Sequence, residues 1–300
     1  MDVEALRTFV AIHRSGTVTR AAEELYRSQP AVSRRLALLE RELGAPLFER
    51  VPGGLVLSEA GRTLLPFAER TLATVRDAEA AMRALRTEAS GPVAVALVGT
   101  LAGTSLTAVL RRFARRHPAV ELTLRTATSA EVSVLVRRAE VALGLRYAAD
   151  PSPDLDGETL FSERMVVAAA PDHPRAGTRV ARASDLAGER WIAFPEAAGR
   201  PEAGAGPVRR ALDAAGVDPT RVLRIDSLTA QKRMVEAGFG IALLPDSGVR
   251  EELAAGSLTV LDVGDLDVSQ PVTAVTRRGG YLSAAARTLL DELRRPYAPF

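Results

Sequence analysis

Between Tyr26 and Gly44 the chain carries a pattern that few folds accommodate. A short turn, Tyr26-Arg27-Ser28, is followed by Val32, Leu36, Leu39 and Leu43 at intervals of four, three and four, the spacing of one helix face. Ser28 stands where a helix N-cap belongs, Pro30 falls in the first turn where a missing N–H costs nothing, and Gly44 is placed to stop the helix. Upstream, Ala21, Ala22 and Leu25 mark a short helix, and Leu6, Phe9, Val10 and His13 share one face of an earlier one. Two helices joined by a short turn, the second capped and basic, make a helix-turn-helix. Leu47-Phe48-Glu49-Arg50 and Leu55-Val56-Leu57 flank Pro52-Gly53-Gly54, which predicts a small hairpin, a wing.

The charge around this pattern is one-sided. From Tyr26 to Leu39 there are Arg27, Arg34 and Arg35 and no acid. The planar guanidinium suits phosphates and base edges. Gln29 can bond both N6 and N7 of an adenine in the major groove. Ser33 lies one turn further along the same face, within reach of a base or a phosphate. Arg34 and Arg35 are placed for phosphates, which set position and not sequence. Ordinary solvation is the competing account of Gln29, and a pair with Glu42, or plain exposure to water, the competing account of Arg35.

Ser58 is placed to cap a long helix running to about Glu88, with Glu59 against its positive end. Leu64, Ala68, Thr71, Val75, Ala78, Met82 and Leu85 recur at intervals of four and three. That seam predicts pairing with another copy of the helix, against the simpler alternative of packing on its own domain. Pro66 predicts a kink near the start. Ser90-Gly91-Pro92 reads as a linker.

Beyond the linker, strand-like and helix-like stretches alternate: strands at Val93–Val98, Val120–Thr126, Val141–Leu145, Met165–Ala170, Trp191–Phe194, Val222–Ile225, Ile241–Leu244 and Val272–Thr276, with helices between them and Ser283–Arg294 as a last helix. Such alternation predicts α/β layers. With 300 residues, 47% hydrophobic and 25% charged, the chain can bury more than one core. There is no cysteine, so disulfides and thiolate metal sites are excluded, and the three histidines, His13, His117 and His173, do not form a metal-ligand pattern. Net charge is +2. Neither a signal peptide nor a membrane span is recognisable, which predicts a cytoplasmic protein with no membrane partner.

The ordered set Glu4-Ala5-Leu6-Arg7-Thr8-Phe9-Val10, Ala21-Ala22-Glu23-Glu24-Leu25, Ser28-Gln29-Pro30-Ala31-Val32-Ser33, Leu39-Glu40, Leu43-Gly44, Leu47-Phe48-Glu49-Arg50 and Leu57-Ser58-Glu59-Ala60-Gly61 resembles the LysR-type transcription regulators. The likeness continues through Phe113 to Pro118, His173-Pro174 and Ala237 to Pro245. It implies a winged helix-turn-helix (1–57), a linker and dimerisation helix (58–89) and an effector domain (90–300). That domain would be a two-lobed α/β unit like a periplasmic binding protein, lobe I about 90–162 and 268–300, lobe II about 163–267. The chain would cross between lobes near Phe161–Arg164 and Val263–Val268. Implied partners are double-stranded DNA with inverted half-sites, a small effector and further copies of the chain, as a dimer and then a tetramer. Two positions depart from the family: Ser58 replaces a common threonine, and Arg50 is the one basic wing residue.

The implied DNA-binding residues are Ser28, Gln29, Pro30, Ser33, Arg34, Arg35 and Arg50. For the effector they are Thr100, Ser129, Arg146, Phe194 and Pro195, lining a cleft whose helix N-termini favour an anion such as a carboxylate. Helix capping is the alternative for Thr100 and Ser129, and a structural ion pair for Arg146. No cofactor, catalytic residue or metal is expected: there is no phosphate loop with a lysine and no Gly-x-Ser-x-Gly elbow. Gly199–Gly206 lacks a lysine and reads as a mobile loop. A solute-binding protein, an enzyme and a regulator without a ligand are the rival readings; the missing signal peptide and the helix-turn-helix oppose the first, and the missing catalytic motifs the second.

Overall fold

The computed structural model describes residues 1–86, 91–103, 106–195 and 207–295. Gly199–Gly206 and Ser90 lie outside the described residues. The chain separates into two compact units. One comprises Met1–Glu88 with Arg137–Glu140 and Gly279–Ser283; the other comprises Ala89–Val136, Val141–Arg278 and Ala284–Phe300.

The first unit opens with α1 (Val3–Ser15), capped by Asp2, whose carboxylate accepts the Ala5 N–H at 2.7 Å. α2 (Val18–Glu24) and α3 (Gln29–Leu43) follow, and α3 ends at Gly44 in the left-handed conformation. Ser28 occupies the N-cap position of α3, yet its side chain makes no capping bond, which corrects that expectation. The reason is local. Pro30 has no N–H to give, and the Ala31 N–H already bonds the Ser28 carbonyl at 3.0 Å. The apolar faces meet as the periodicity requires: Leu6, Phe9, Val10, Leu39 and Leu47 form one cluster, and Ile12, Ala21, Ala22 and Val32 another.

β1 (Phe48–Val51) and β2 (Gly54–Leu57) form the antiparallel wing, with Val51 opposite Gly54. The wing is bonded to the end of α1, because the Leu55 N–H donates to the Gly16 carbonyl at 2.8 Å. That approach needs glycine at 54, where a Cβ would come within 2.6 Å of the Gly16 oxygen.

α4 (Glu59–Arg86) runs through Pro66 as one helix. Buried Ser58 does cap it: its hydroxyl accepts the Gly61 N–H at 3.0 Å and donates to the Pro46 carbonyl at 2.6 Å. The expected seam divides. Leu64 and Ala68 pack in the core of their own unit, with Leu72. Further along, Thr71, Ala78 and Met82 are exposed and Val75 is half-buried; the Leu85 side chain lies outside the described residues. The first turns of α4 therefore follow the alternative of packing on their own domain.

In the second unit, β3 (Val93–Val98), α5 (Leu106–Arg116), β4 (Leu122–Ala127), α6 (Ser129–Arg137) and β5 (Leu143–Tyr147) build the first lobe. β3 pairs in parallel with both β4 and β5. β6 (Leu155–Ala169) leaves this lobe for the second, which holds β7 (Arg179–Val180), β8 (Trp191–Ala193), α7 (Pro207–Ala214), β9 (Val222–Arg224), α8 (Leu228–Glu236), β10 (Ile241–Pro245), α9 (Asp246–Ala255) and β11 (Thr259–Val263). β12 (Val268–Arg277) returns to the first lobe, and α10 (Ala284–Arg294) packs beside α5. The strand order is β4-β3-β5-β12-β6-β10-β8-β9. β6 and β12 pair antiparallel from Met165↔Val268 to Leu155↔Arg277, with a bulge at Val272/Thr273, so one ladder belongs to both lobes.

The periodicity predicts a strand only from Met165, whereas β6 begins ten residues earlier, at Leu155. Asp156–Thr159 are exposed, so the first half of the strand lacks the apolar run that marks the second. β7, α9 and β11 were not expected from the sequence either.

Candidate functional site

α3 presents a polar face. Ser28, Gln29, Pro30, Ser33, Arg34 and Arg35 are all exposed, as is Arg50 on β1. Val32 and Leu39 on the opposite face are buried and hold the helix in place. Among the described residues, the side chains of Gln29, Ser33, Arg34 and Arg50 have no hydrogen-bond or ion-pair partner. Their donors and acceptors are free for something outside the chain. Arg35 pairs at 3.7 Å with Asp2 and not with Glu42, which instead holds the N-terminal amine. Such an exposed pair adds little stability and is readily exchanged for a phosphate.

In the second unit, polar groups converge from four segments. Thr100 follows β3 in a 3-10 turn, Gly99–Gly103, and is buried. Its hydroxyl donates to the Tyr147 hydroxyl, at the end of β5, at 3.0 Å. Burial pushes the Tyr147 phenol up to about 12; the Thr100 bond opposes this and the nearby Glu163 carboxylate adds to it. Glu163, buried on β6, accepts the Ser247 N–H at 3.2 Å. Ser247 lies in the first turn of α9, and its hydroxyl is buried without a partner among the described residues. α9 lies against the 99–103 turn. Thr100 and Tyr147 come from the first lobe, Ser247 from the second and Glu163 from the ladder they share.

Residues 3–62 match the bacterial regulatory helix-turn-helix protein, lysR family, and residues 86–297 match the LysR substrate binding domain. The chain belongs to the LysR family of transcriptional regulators. It is 33% identical over 305 residues to the HTH-type transcriptional regulator CbbR of Xanthobacter flavus, covering 98% of this chain and 88% of that one. It is 31% identical over 292 residues to CbbR of Rhodospirillum rubrum, covering 96% and 94%. Among solved structures, full-length CbnR complexed with its target DNA aligns at a TM-score of 0.63 and 25% identity, over 98% of this chain and 99% of that one. Full-length OxyR of Pseudomonas aeruginosa aligns at 0.69 and 21% identity, over 98% and 95%, which shows the shared fold. The chain is therefore a DNA-binding transcriptional regulator with an effector-binding domain.

Within this LysR-type regulator, the expected effector residues fare unequally. Thr100 joins the converging group through Tyr147 and caps no helix among the described residues. Ser129 is the first residue of α6 and half-buried, but the cap is its neighbour Thr128, whose hydroxyl accepts the Glu131 N–H at 3.3 Å while Glu131 accepts the Thr128 N–H at 2.9 Å. Phe194 and Pro195 are exposed just past β8, and Arg224 donates to the Phe194 carbonyl at 3.1 Å. Arg146 is the correction. It is buried in the structural ion pair that was its alternative, bonded to Asp150 at 2.5 Å and to the Ser133 hydroxyl at 3.0 Å. Burial raises the Asp150 carboxyl pKa, but Ser133, Ser152 and the Arg146 charge outweigh it and hold it at about 2. Neighbouring strand residues face opposite ways, so Arg146 and Tyr147 point to opposite faces of β5. Tyr147, and not Arg146, is on the face that carries the converging group.

A cavity of about 440 Å³, lined by Ala183, Arg210, Ala211, Asp265, Asp267 and Ser269 at the start of β12, includes none of the converging residues. Among the described residues, no His, Asp or Glu group could hold a metal ion. No helix among them is long and apolar enough to cross a membrane.

Proposed function

We propose that α3 enters the major groove of inverted half-sites. Gln29 reads a base edge there, Ser33 supports it, and Arg34, Arg35 and Arg50 hold phosphates. Ser28 and Pro30 set the entry of the helix. The observation that carries this reading is the exposed face of α3, whose Gln29, Ser33 and Arg34 side chains are uncommitted among the described residues. The regulator acts in the cytoplasm by binding, with no reaction of its own. It divides into a DNA-binding part (1–57), a linker helix (58–89) and an effector domain (90–300), with lobes of about 90–162 with 268–300, and 163–267.

Two copies pair through α4. The row that supports pairing is Phe67, Thr71, Thr74, Ala78 and Met82, all exposed at near-heptad intervals. A tetramer would follow from further contacts of the effector domain. The effector binds around Thr100, Tyr147 and Ser247, with Ser129, Phe194 and Pro195 as outer walls. It shifts the population of lobe arrangements, and the DNA bend with it. With the Arg146 charge committed to Asp150, a carboxylate effector would rest on hydroxyls and backbone N–H groups.

Gln29→Ala tests the DNA interface. We expect a loss of about 1–3 kcal/mol on the specific site and a smaller loss on random duplex. Equal loss on both would remove base reading from Gln29.

A further inference from the structure

The turn between α2 and α3 holds a residue that the fold does not ask for. Tyr26 has φ +53°, in the left-handed region that disfavours a residue with a Cβ and is filled most easily by glycine or asparagine. Its side chain does not offset that strain through packing, because the residue is 95% exposed. The turn does not require it either. The Tyr26 N–H donates to the Glu23 carbonyl at 3.1 Å and the Arg27 N–H to the Ala22 carbonyl at 2.9 Å, bonds that any residue with an N–H would make. A strained backbone position carrying a large, fully exposed side chain points to a partner outside the chain.

The position says which partner. Tyr26 stands three residues before Gln29, at the end of α3 that enters the groove. Arg27 and Arg34 are exposed beside it in sequence and on α3, and among the described residues neither has an ion-pair partner. Phosphates line the rim of the groove, and a phenol is among the groups that bond them. We propose that Tyr26 is a DNA-contacting residue whose hydroxyl donates to a backbone phosphate at the edge of the half-site. This inference rests on the reading of α3 as the recognition helix. The contact positions the helix and carries no sequence information. It also adds no cation, so it displaces no counterion from the DNA.

The test uses the full chain, on a specific duplex and on a random one, across a salt series, with thermal melting alongside. Tyr26→Phe keeps the ring and the strain and removes the hydroxyl. It is expected to weaken binding about threefold to tenfold per half-site, equally on both duplexes, with the salt slope and melting midpoint unchanged. Tyr26→Asn relieves the strain and removes the ring. It is expected to raise the midpoint by about 2 °C while still weakening DNA binding, a combination that a purely structural residue would not give. Wild-type affinity in Tyr26→Phe, a loss on one sequence only, or a changed slope overturns the phosphate contact. Gln29→Ala serves as the control. If it loses affinity while Tyr26→Phe does not, only the Tyr26 contact fails; if neither loses affinity, the recognition-helix reading fails as well.

Discussion

The candidate site residues of the two units differ in where they stand. On the first, Gln29, Ser33, Arg34 and Arg50 are exposed and bonded to nothing within the described chain. In the second, Thr100 and Glu163 are buried, Tyr147 is half-buried, and each is held by a partner. The difference follows the size of the ligand. A duplex is larger than the unit that binds it, so it must be met by side chains reaching out from a rigid helix. A small effector gains most when it is surrounded, which the buried candidate group of the second unit would allow. Residues of the first kind are therefore separable from stability, and residues of the second kind are not.

Substitutions can break or sharpen that contrast. The largest effect is expected at Arg146. Arg146→Ala leaves Asp150 without its charge partner and should destabilise the chain by about 3–5 kcal/mol, read by urea unfolding. A stable Arg146→Ala protein that had lost only its effector response would return Arg146 to the ligand site. The same pair sets an acid dependence. Because Asp150 is depressed to about 2 when folded, against 3.8 as an ordinary carboxyl, its contribution is complete above about pH 4 and is lost as pH falls through 2. Asp150→Asn should flatten the stability profile in that window.

A smaller effect is expected at Thr100. Thr100→Val keeps the shape, deprives the Tyr147 hydroxyl of its donor and should cost about 1 kcal/mol. The smallest effect on folding is expected at Arg50. Arg50→Ala should leave stability within about 0.5 kcal/mol while lowering the salt slope of DNA binding by about 1. A stability loss at Arg50 as large as that at Thr100 would erase the distinction between the units.

The same contrast governs what could be read from the sequence. In the first unit the signals are local. Val32 and Leu39 show the buried face of α3, Gly44 its end, and Pro52-Gly53 the wing turn. Even there, the buried face of α4 is ambiguous in the sequence, since Leu64 and Ala68 fit a partner helix as well as they fit the core formed by Leu6, Phe9 and Val10. In the second unit, β3 and α5 fall where periodicity puts them. The site does not, because it depends on strand order. Thr100, Tyr147, Glu163 and Ser247 span nearly 150 positions and meet only because β5, β12, β6 and β10 lie side by side. The apolar run ends the strand at Leu145, two residues short of the observed end at Tyr147, and alternation then puts Tyr147, not Arg146, on the face of the converging group.

The ladder of β6 and β12 has a mechanical consequence. Two lobes joined by loose chain would swing like a door on a pin. Here they are joined by a hydrogen-bonded ribbon that runs from Met165↔Val268 to Leu155↔Arg277. Such a ribbon is stiff against stretching and splaying but compliant in torsion, since twist is the soft deformation of a strand pair. The register shifts at Val272/Thr273, where a bulge interrupts the ladder and increases its local twist. An effector that grips both lobes would wind a spring, and the stored twist would return the lobes to their resting angle when the effector leaves.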